Sequence, residues 1–344
     1  MQKNNVTIHD LAKALNINPS TVSRALNNSS RVTQQTKTKI LAKADELGYQ
    51  RNALASNLRK NKTNTIGVIV PRISRHFFSS AIAGIEETAF EFGYNVMICQ
   101  SLEELERERN LISSLMANRV AGVLLSVSME TTNYDHMLGL KKNGTPILFF
   151  DRHCEIPGNS NVLIDDFQSG FDATEHLIAN GCKIIAHFSG PKELKIYQNR
   201  LRGYLAALQK HCIPYRPELV FTSRLMEEDG IENAKKIMSL GINIDGIFAA
   251  NDVSAIGAMK HLKSEGVKIP EDIGIVGFSN EPISAVIEPS LTTIDQSGHK
   301  IGKLATKLLL KQIKNESGQI QPETLVLKTA LISRDSSKHI STKN

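Results

Sequence analysis

The sequence predicts a small all-α head carrying a helix-turn-helix, followed by an α/β body of two lobes with parallel sheets and helices on both faces. Three observations predict it. Residues 1–62 hold eleven Lys and Arg against three Asp and Glu, a net of +8, while the remainder carries −2. Helix start and stop signals recur at short intervals through the first fifty residues. From Ile66 onward, short apolar runs alternate with longer amphipathic segments, the pattern of parallel strands joined by helices. With 344 residues, the chain is long enough for two or three units of roughly 100–200 residues each.

In the head, Thr7-x-x-Asp10 is a capping-box pattern with Asp in the usual Glu or Gln place. It opens a helix with Leu11, Ala12 and Leu15 on one face. Asn16-Ile17 make a short turn. Asn18 suits an N-cap and Pro19 the first helical position. The second helix, over 19–26, then turns Val22, Ala25 and Leu26 inward and shows Ser20, Thr21, Ser23 and Arg24. After a polar loop, Thr33 caps a third helix with Ile40, Leu41, Ala44 and Leu47 facing inward, and Gly48 ends it. Two short helices across a tight turn, with a third packed on them, make a helix-turn-helix unit. Its basic charge suits a polyanion. Its second helix would enter a major groove, with Arg24 on guanine edges and Ser20 on bases or phosphates. The same pattern also serves as a generic packing module. Residues 51–59 place Ala53, Leu54 and Leu58 at helical spacing but are too short for a helix stable alone. Residues 59–65 read as an exposed linker.

In the body, strands are predicted at 66–70, 95–99, 122–127, 147–150, 162–164, 184–188, 246–250 and 273–277. Helices are predicted at 77–92, 105–118, 171–180, 252–265 and 300–313. Such a length exceeds one doubly wound sheet, hence two lobes. Ligands of these sheets sit outside the carboxyl ends of the strands, so the cleft between the lobes is the expected site. The candidates are Arg72, Ser74, His76, Phe77 and Phe78 after the first strand, Asp151 and Arg152 after the fourth, and Asp165 and Asp166 after the fifth. Phe77 or Phe78 would stack on a sugar face or a base. Arg72, Arg75, Arg152 and Arg200 near strand ends suggest an anionic ligand, although helix caps and solvated loops also explain such residues.

Val6-Thr-Ile-His-Asp-Leu-Ala12, Pro19-Ser-Thr-Val-Ser-Arg-Ala-Leu-Asn27, Val32-Thr33 and Leu47-Gly-Tyr49 together resemble the N-terminus of LacI/GalR-family bacterial transcription regulators. The resemblance continues through Asn199-Arg200-Leu-Arg-Gly203-Tyr204, Ala250-Asn251-Asp252, the run 269–278 and Leu291-Thr-Thr-Ile-Asp-Gln296, and covers nearly the whole chain. It implies a DNA-reading headpiece. Pro19, Ser20 and Arg24 would contact bases, Pro19 by apolar contact alone. Thr21, Ser23 and Asn27 would touch the backbone, with Thr7 also among the DNA contacts. Residues 51–59 resemble the family hinge helix, which orders when two copies meet on DNA. There Ala55 and Leu58 join the DNA contacts, Leu58 as the wedge that kinks the operator centre. Many relatives carry proline where this chain has Arg51, a departure that loosens the turn and adds a phosphate contact.

For the body the resemblance implies a periplasmic-binding-protein-like pair of lobes crossed three times. The boundaries expected are 1–50 headpiece, 51–65 hinge and linker, 66–335 body and 336–344 tail. Lobe one takes 66–164 plus 294–325, and lobe two 165–293 plus 326–335. Arg200 and Asp252 match family positions that grip ligand hydroxyls, as donor and acceptor. Leu194 and Ile196 stand where purine-responsive relatives place polar contacts, which speaks against a purine. The implied function is a ligand-responsive regulator, in this family most often a repressor of a carbohydrate-utilisation operon. It would bind a near-palindromic double-stranded DNA operator as a homodimer, with a sugar, sugar acid or sugar phosphate as effector.

Other classes find little in the sequence. No apolar run reaches the roughly 18–20 residues of a membrane helix, and residues 1–10 lack a signal-peptide core, so the cytoplasm is expected. Cys99, Cys154, Cys182 and Cys212 form no CxxC pair and are expected as buried or half-buried free thiols. No nucleotide loop, HExxH or GxSxG motif is present, so no cofactor, metal or catalytic residue is expected. Residues beyond Arg334 carry no leucine heptad, against a coiled-coil tetramer. A sugar-binding protein without a DNA role and an enzyme using the cleft are the alternative readings.

Overall fold

In the computed structural model, residues 6–49, 63–315 and 321–338 are described. The chain divides into two units, 1–61 and 62–344, taken separately below. The hinge readings at Arg51, Ala55 and Leu58 lie outside the described residues.

The first unit holds α1 (Ile8–Leu15), α2 (Pro19–Leu26) and α3 (Gln34–Glu46). Each start is capped by its own sequence. The Asp10 carboxylate accepts from the Thr7 N–H at 2.8 Å, and the Thr7 hydroxyl accepts from the Asp10 N–H at 3.3 Å. Asn18 Oδ1 accepts from the Ser20 N–H at 2.9 Å, and Thr33 caps α3. The end of α3 is a Schellman turn: Gly48, at φ +65°, donates to the Asp45 carbonyl and Tyr49 donates to the Ala44 carbonyl. Leu11, Val22, Ala25, Ile40 and Ala44 form the core, closed by Leu15, Ile17, Leu26 and Leu47. Leu41 corrects the sequence reading. It is 53% exposed, because the inner stripe runs Ile40–Ala44–Leu47 and the next residue along turns about 100° away from it.

The second unit begins with β1 (Thr65–Val70), α4 (His76–Glu91), β2 (Asn95–Gln100), α5 (Leu105–Ala117), β3 (Gly122–Leu125), α6 (Leu138–Lys142), β4 (Ile147–Phe150) and β5 (Ser160–Ile164). The second lobe follows with α7 (Asp166–Ala179), β6 (Ile185–Ser189), α8 (Lys195–Lys210), β7 (Val220–Thr222), α9 (Glu227–Ser239), β8 (Gly246–Ala249), α10 (Asp252–Ser264), β9 (Gly274–Phe278) and β10 (Thr292–Asp295). Then come α11 (Gly298–Ile313), β11 (Thr324–Leu327) and β12 (Ala330–Ile332). The sheets run β11-β5-β4-β3-β1-β2 and β12-β10-β9-β8-β6-β7. Neighbours are parallel, with Val68 beside Leu124 in the first and His187 beside Phe248 in the second. The exception is β12, antiparallel to β10. Helices cover both faces, so the central strands are buried throughout and read as unbroken apolar runs.

The pairings correct several boundaries. β10 still pairs with β9 through Ile294, so the return to lobe one falls at Gln296–Ser297 and not at 294. β11 pairs with β5 through Leu327, so the last crossing falls at 328–329 and not after 325. The second lobe also reaches into the expected tail, because the buried Ser336 hydroxyl donates to the Ile275 carbonyl at 2.6 Å. The helix expected from 171 starts at Asp166, since Asp165 caps it. Cys212 is exposed, just past the end of α8, while Cys182 is buried and Cys99 and Cys154 lie between.

Three helix pairs are locked by reciprocal glycines. A Cβ on Gly84 would meet His299 O at 2.1 Å, and one on Gly302 would meet Ala81 O at 2.0 Å. Gly170 and Gly203 do the same for α7 and α8, and Gly230 and Gly257 for α9 and α10. The backbones therefore touch, and the amino ends of α7, α8 and α10 are held rigidly beside the cleft. Among the described residues, no helix is long and apolar enough to cross a membrane.

Candidate functional site

In the headpiece, α2 buries Val22 and Ala25 and turns Ser20 and Arg24 outward, one helical turn apart on the same face. Pro19, Thr21 and Ser23 are half-buried beside them, and Asn27 lies exposed at the helix end, its amide donating to the Ser23 carbonyl at 2.7 Å. The helix has no acidic residue in its first turn, and the nearest acids in sequence are Asp10 and Asp45. The Arg24 guanidinium therefore forms no ion pair among the described residues. Thr7 is exposed, but its hydroxyl is already engaged with Asp10, at 2.7 Å as donor.

In the second unit one cavity lies between the lobes, with about 700 Å³ of empty space including its open mouth. Lobe one lines it with Arg72, Arg75, Phe77, Phe78, Glu103, Met129, Asp151 and Arg152. Lobe two supplies Ile196, Tyr197, Arg200, Arg224, Met226, Ala250, Asn251, Val253, Ser279 and Glu281, and Gln296 sits on the crossing between them. Phe77 and Phe78 meet edge to face at 5.1 Å, and Phe78 does so again with Phe150 at 6.5 Å, which fixes the apolar wall.

The inner charges are paired. Arg152 Nη1 donates to Glu103 Oε2 at 2.7 Å, and the same carboxylate oxygen accepts from the Met129 N–H at 2.9 Å. Arg200 Nε donates to Asp166 Oδ1 at 2.8 Å and Nη1 donates to the Ala250 carbonyl at 2.9 Å. Its guanidinium carbon lies over the Phe278 ring, 3.6 Å from the ring centre, a cation–π contact. Burial pushes the Asp166 carboxyl up to about 7, against the pull of Arg200. Burial likewise raises Asp151, a left-handed residue at φ +62° whose carboxylate accepts from the Ser126 hydroxyl. Arg152 Nε and Gln296 Oε1 are buried with no hydrogen-bond partner among the described residues. An unmet donor and an unmet acceptor in one cavity wall suit a ligand that offers both, as a polyol does.

The other candidates are placed differently. Asp165 is an exposed helix cap, accepting from the Gln168 N–H at 2.9 Å. Ser74 and His76 are exposed and do not line the cavity. Asp252 is fully buried behind it, accepting from the Thr293 hydroxyl at 2.6 Å and the Glu281 N–H at 2.7 Å, with burial raising its carboxyl to about 7. Its neighbours Asn251 and Val253 line the cavity instead, because Asp252 turns into the lobe at the start of α10. Glu103, Met129, Tyr197, Arg224, Met226, Ser279 and Glu281 line the cavity in addition to the residues the sequence predicts. Ser279 directly follows the family-like run 269–278, a usable signal, whereas Glu103, Met129 and Arg224 stand on loops without pattern. Contacts that join the lobes include Glu281, which accepts from the His76 N–H at 3.2 Å, Arg75 Nη2, 3.3 Å from Met226 Sδ, and an ion pair between Lys195 and Glu155.

Comparison with known proteins reads both units together. Residues 7–52 match the model of bacterial regulatory proteins of the lacI family, and residues 63–332 match periplasmic binding proteins and the sugar binding domain of the LacI family. The chain belongs to the LacI family. Catabolite control protein A of Priestia megaterium is 32% identical over 91% of this chain and 94% of its own length. The ribose operon repressor of Halalkalibacterium halodurans is 32% identical over 96% and 97%. The lac repressor dimer solved with operator and the anti-inducer ONPF superposes with a TM-score of 0.85 at 25% identity, covering 97% of this chain and all of that one. As a LacI-family protein, the chain is a ligand-responsive, DNA-binding transcriptional regulator.

Proposed function

We propose that this LacI-family regulator represses a carbohydrate-utilisation operon in the cytoplasm, as a homodimer on a near-palindromic operator. Pro19, Ser20 and Arg24 read bases, and Thr21, Ser23 and Asn27 touch the backbone, with Thr7 holding the first helix in place. A sugar-type effector sits in the cleft against Phe77, Phe78, Arg152 and Arg200, with Arg72 at the edge. The observation that carries the reading is the cavity itself, walled by strand ends of both lobes and bridged by Glu281 and Arg75. A ligand that bridges the same walls shifts the lobe angle, and the coupling to DNA affinity is reciprocal. Exposed Phe90, Phe92 and Ile98 give lobe one an apolar surface for a second copy. A regulator, and not an enzyme, is favoured because the buried acids Asp166 and Asp252 are engaged in structural bonds.

The test is DNA selection. Purified protein is incubated with sheared genomic DNA at about 150 mM salt, and the bound fragments are sequenced, with and without candidate sugars. Enrichment of one short near-palindrome that a sugar abolishes or strengthens supports the proposal. Enrichment in neither condition overturns the repressor reading.

A further inference from the structure

Five arginines line the cavity, and they fall into two sets. Arg152 and Arg200 are buried and committed to Glu103 and Asp166. Arg72, Arg75 and Arg224 are more exposed and form no ion pair among the described residues. Arg75 is the most telling, because its guanidinium is half-buried and, among the described residues, has only the Met226 thioether, a weak acceptor, within hydrogen-bond range. Burial lowers its affinity for its proton against the pull of Glu281, and Arg72 adds to the lowering. Glu281 is the acid lining this side of the cavity, and it already accepts from the His76 N–H. Asp151 also lines the cavity, 3.9 Å from Arg152, so the three uncommitted guanidiniums stand against two carboxylates, and the excess positive charge collects at Arg72, Arg75 and Arg224. A phosphate monoester carries about −1.5 to −2 at neutral pH, a carboxylate only −1.

We propose that the effector is a sugar phosphate, its phosphoryl group seated among Arg72, Arg75 and Arg224 and its hydroxyls directed to Asp151, Arg152 and Gln296. The inference rests on the cleft being the effector site. It also supplies a reason for closure. Arg72 and Arg75 stand on lobe one and Arg224 on lobe two, beside the Met226 that Arg75 touches. With Glu281 of lobe two partly offsetting Arg75, cations thus line both walls of the cleft. A dianion between them accepts from both lobes, so it binds the closed arrangement more tightly than the open one.

Calorimetry on the full-length protein at about 150 mM salt tests this. The probes are ribose 5-phosphate, glucose 6-phosphate and fructose 6-phosphate, their parent sugars, galacturonate, gluconate and inorganic phosphate. At least one sugar phosphate is expected to bind about 100-fold more tightly than its parent sugar. Arg75→Gln and Arg224→Gln are each expected to weaken the ester at least tenfold, and selectively over the parent sugar, and circular dichroism of each variant confirms folding. A parent sugar or a sugar acid binding as tightly as any ester overturns the phosphate assignment and leaves the cleft reading standing. Inorganic phosphate binding as tightly as the esters reduces the cluster to an anion site and also overturns it. No binding by any probe, with operator binding intact, overturns the cleft as a sugar site.

Discussion

The recognition helix carries one arginine and the cleft five, and the two regions hold them under opposite conditions. Arg24 stands on an exposed helix face and forms no ion pair among the described residues. Arg200 is buried against Phe278 and tied to Asp166 and a backbone carbonyl. The first arginine carries no folding duty, so its face is free to meet any polyanion of the right shape. The second is part of the scaffold, since a buried cation must be compensated before the protein folds. A surface site is thus an addition to the fold, whereas a cleft site is made from it.

Removing the two arginines tests this contrast most directly. Arg200→Ala leaves Asp166 and the Ala250 carbonyl without a donor, and about 3–5 kcal/mol of stability should be lost in urea titrations at pH 8. Arg24→Ala should stay within about 0.5 kcal/mol of the parent. Similar losses at both positions would break the comparison.

Acidity sharpens it next. Asp252 goes from the ordinary carboxylate value of 3.8 to about 7 on folding. Between those values the folded state binds the proton and the unfolded state does not, so this group's contribution falls as pH rises from 4 to 7. Its slope reaches at most about 1.4 kcal/mol per pH unit. His187 works in the other direction. Burial lowers it from 6.5 to about 4, so its contribution is lost as pH falls through that window. The difference between parent and Asp252→Asn isolates the first effect: melting temperatures should converge at pH 4 and separate by pH 8 in favour of the variant. A pH-independent difference would mean that Asp252 stays ionised.

On the headpiece side, Arg24→Ala should cost about 1–3 kcal/mol of operator affinity and much less of nonspecific affinity, measured by competition against random DNA. Equal losses would make Arg24 a phosphate contact. The smallest effect belongs to Thr7→Ala, which removes one half of a capping box for about 1 kcal/mol of headpiece stability. Hydrogen exchange in α1 should report it while exchange in the second unit stays unchanged.

How much of each site was legible follows from range. Thr7 with Asp10, Asn18 with Ser20, Thr33 with Thr36 and Gly48 with Asp45 all act across two or three residues. The recognition face can therefore be read from one helix period, whereas Leu41, next along the chain from the stripe residue Ile40, is apolar like its neighbour and bears no local mark of its exposure. Body strands were legible for the same reason, as apolar runs bounded by polar loops. The cleft was legible only as a location. Glu103 meets Arg152 across 49 residues and Arg200 meets Asp166 across 34, and no local pattern encodes either pairing. Asp165 and Asp166 show the limit most plainly. The two are adjacent in sequence, yet one caps a helix in water and the other is buried against an arginine.

The sequence by itself determined the two kinds of unit, the cap and turn at each headpiece helix, the strand-and-helix order of the lobes and the family. These depend on neighbours along the chain. Tertiary structure alone decided which arginines are neutralised and which remain free, that Asp252 turns inward while Asn251 and Val253 line the cavity, and where the chain crosses between lobes. Those outcomes depend on burial and on partners brought together across the sheets, and charge acquires its energy from surroundings that only the folded chain supplies.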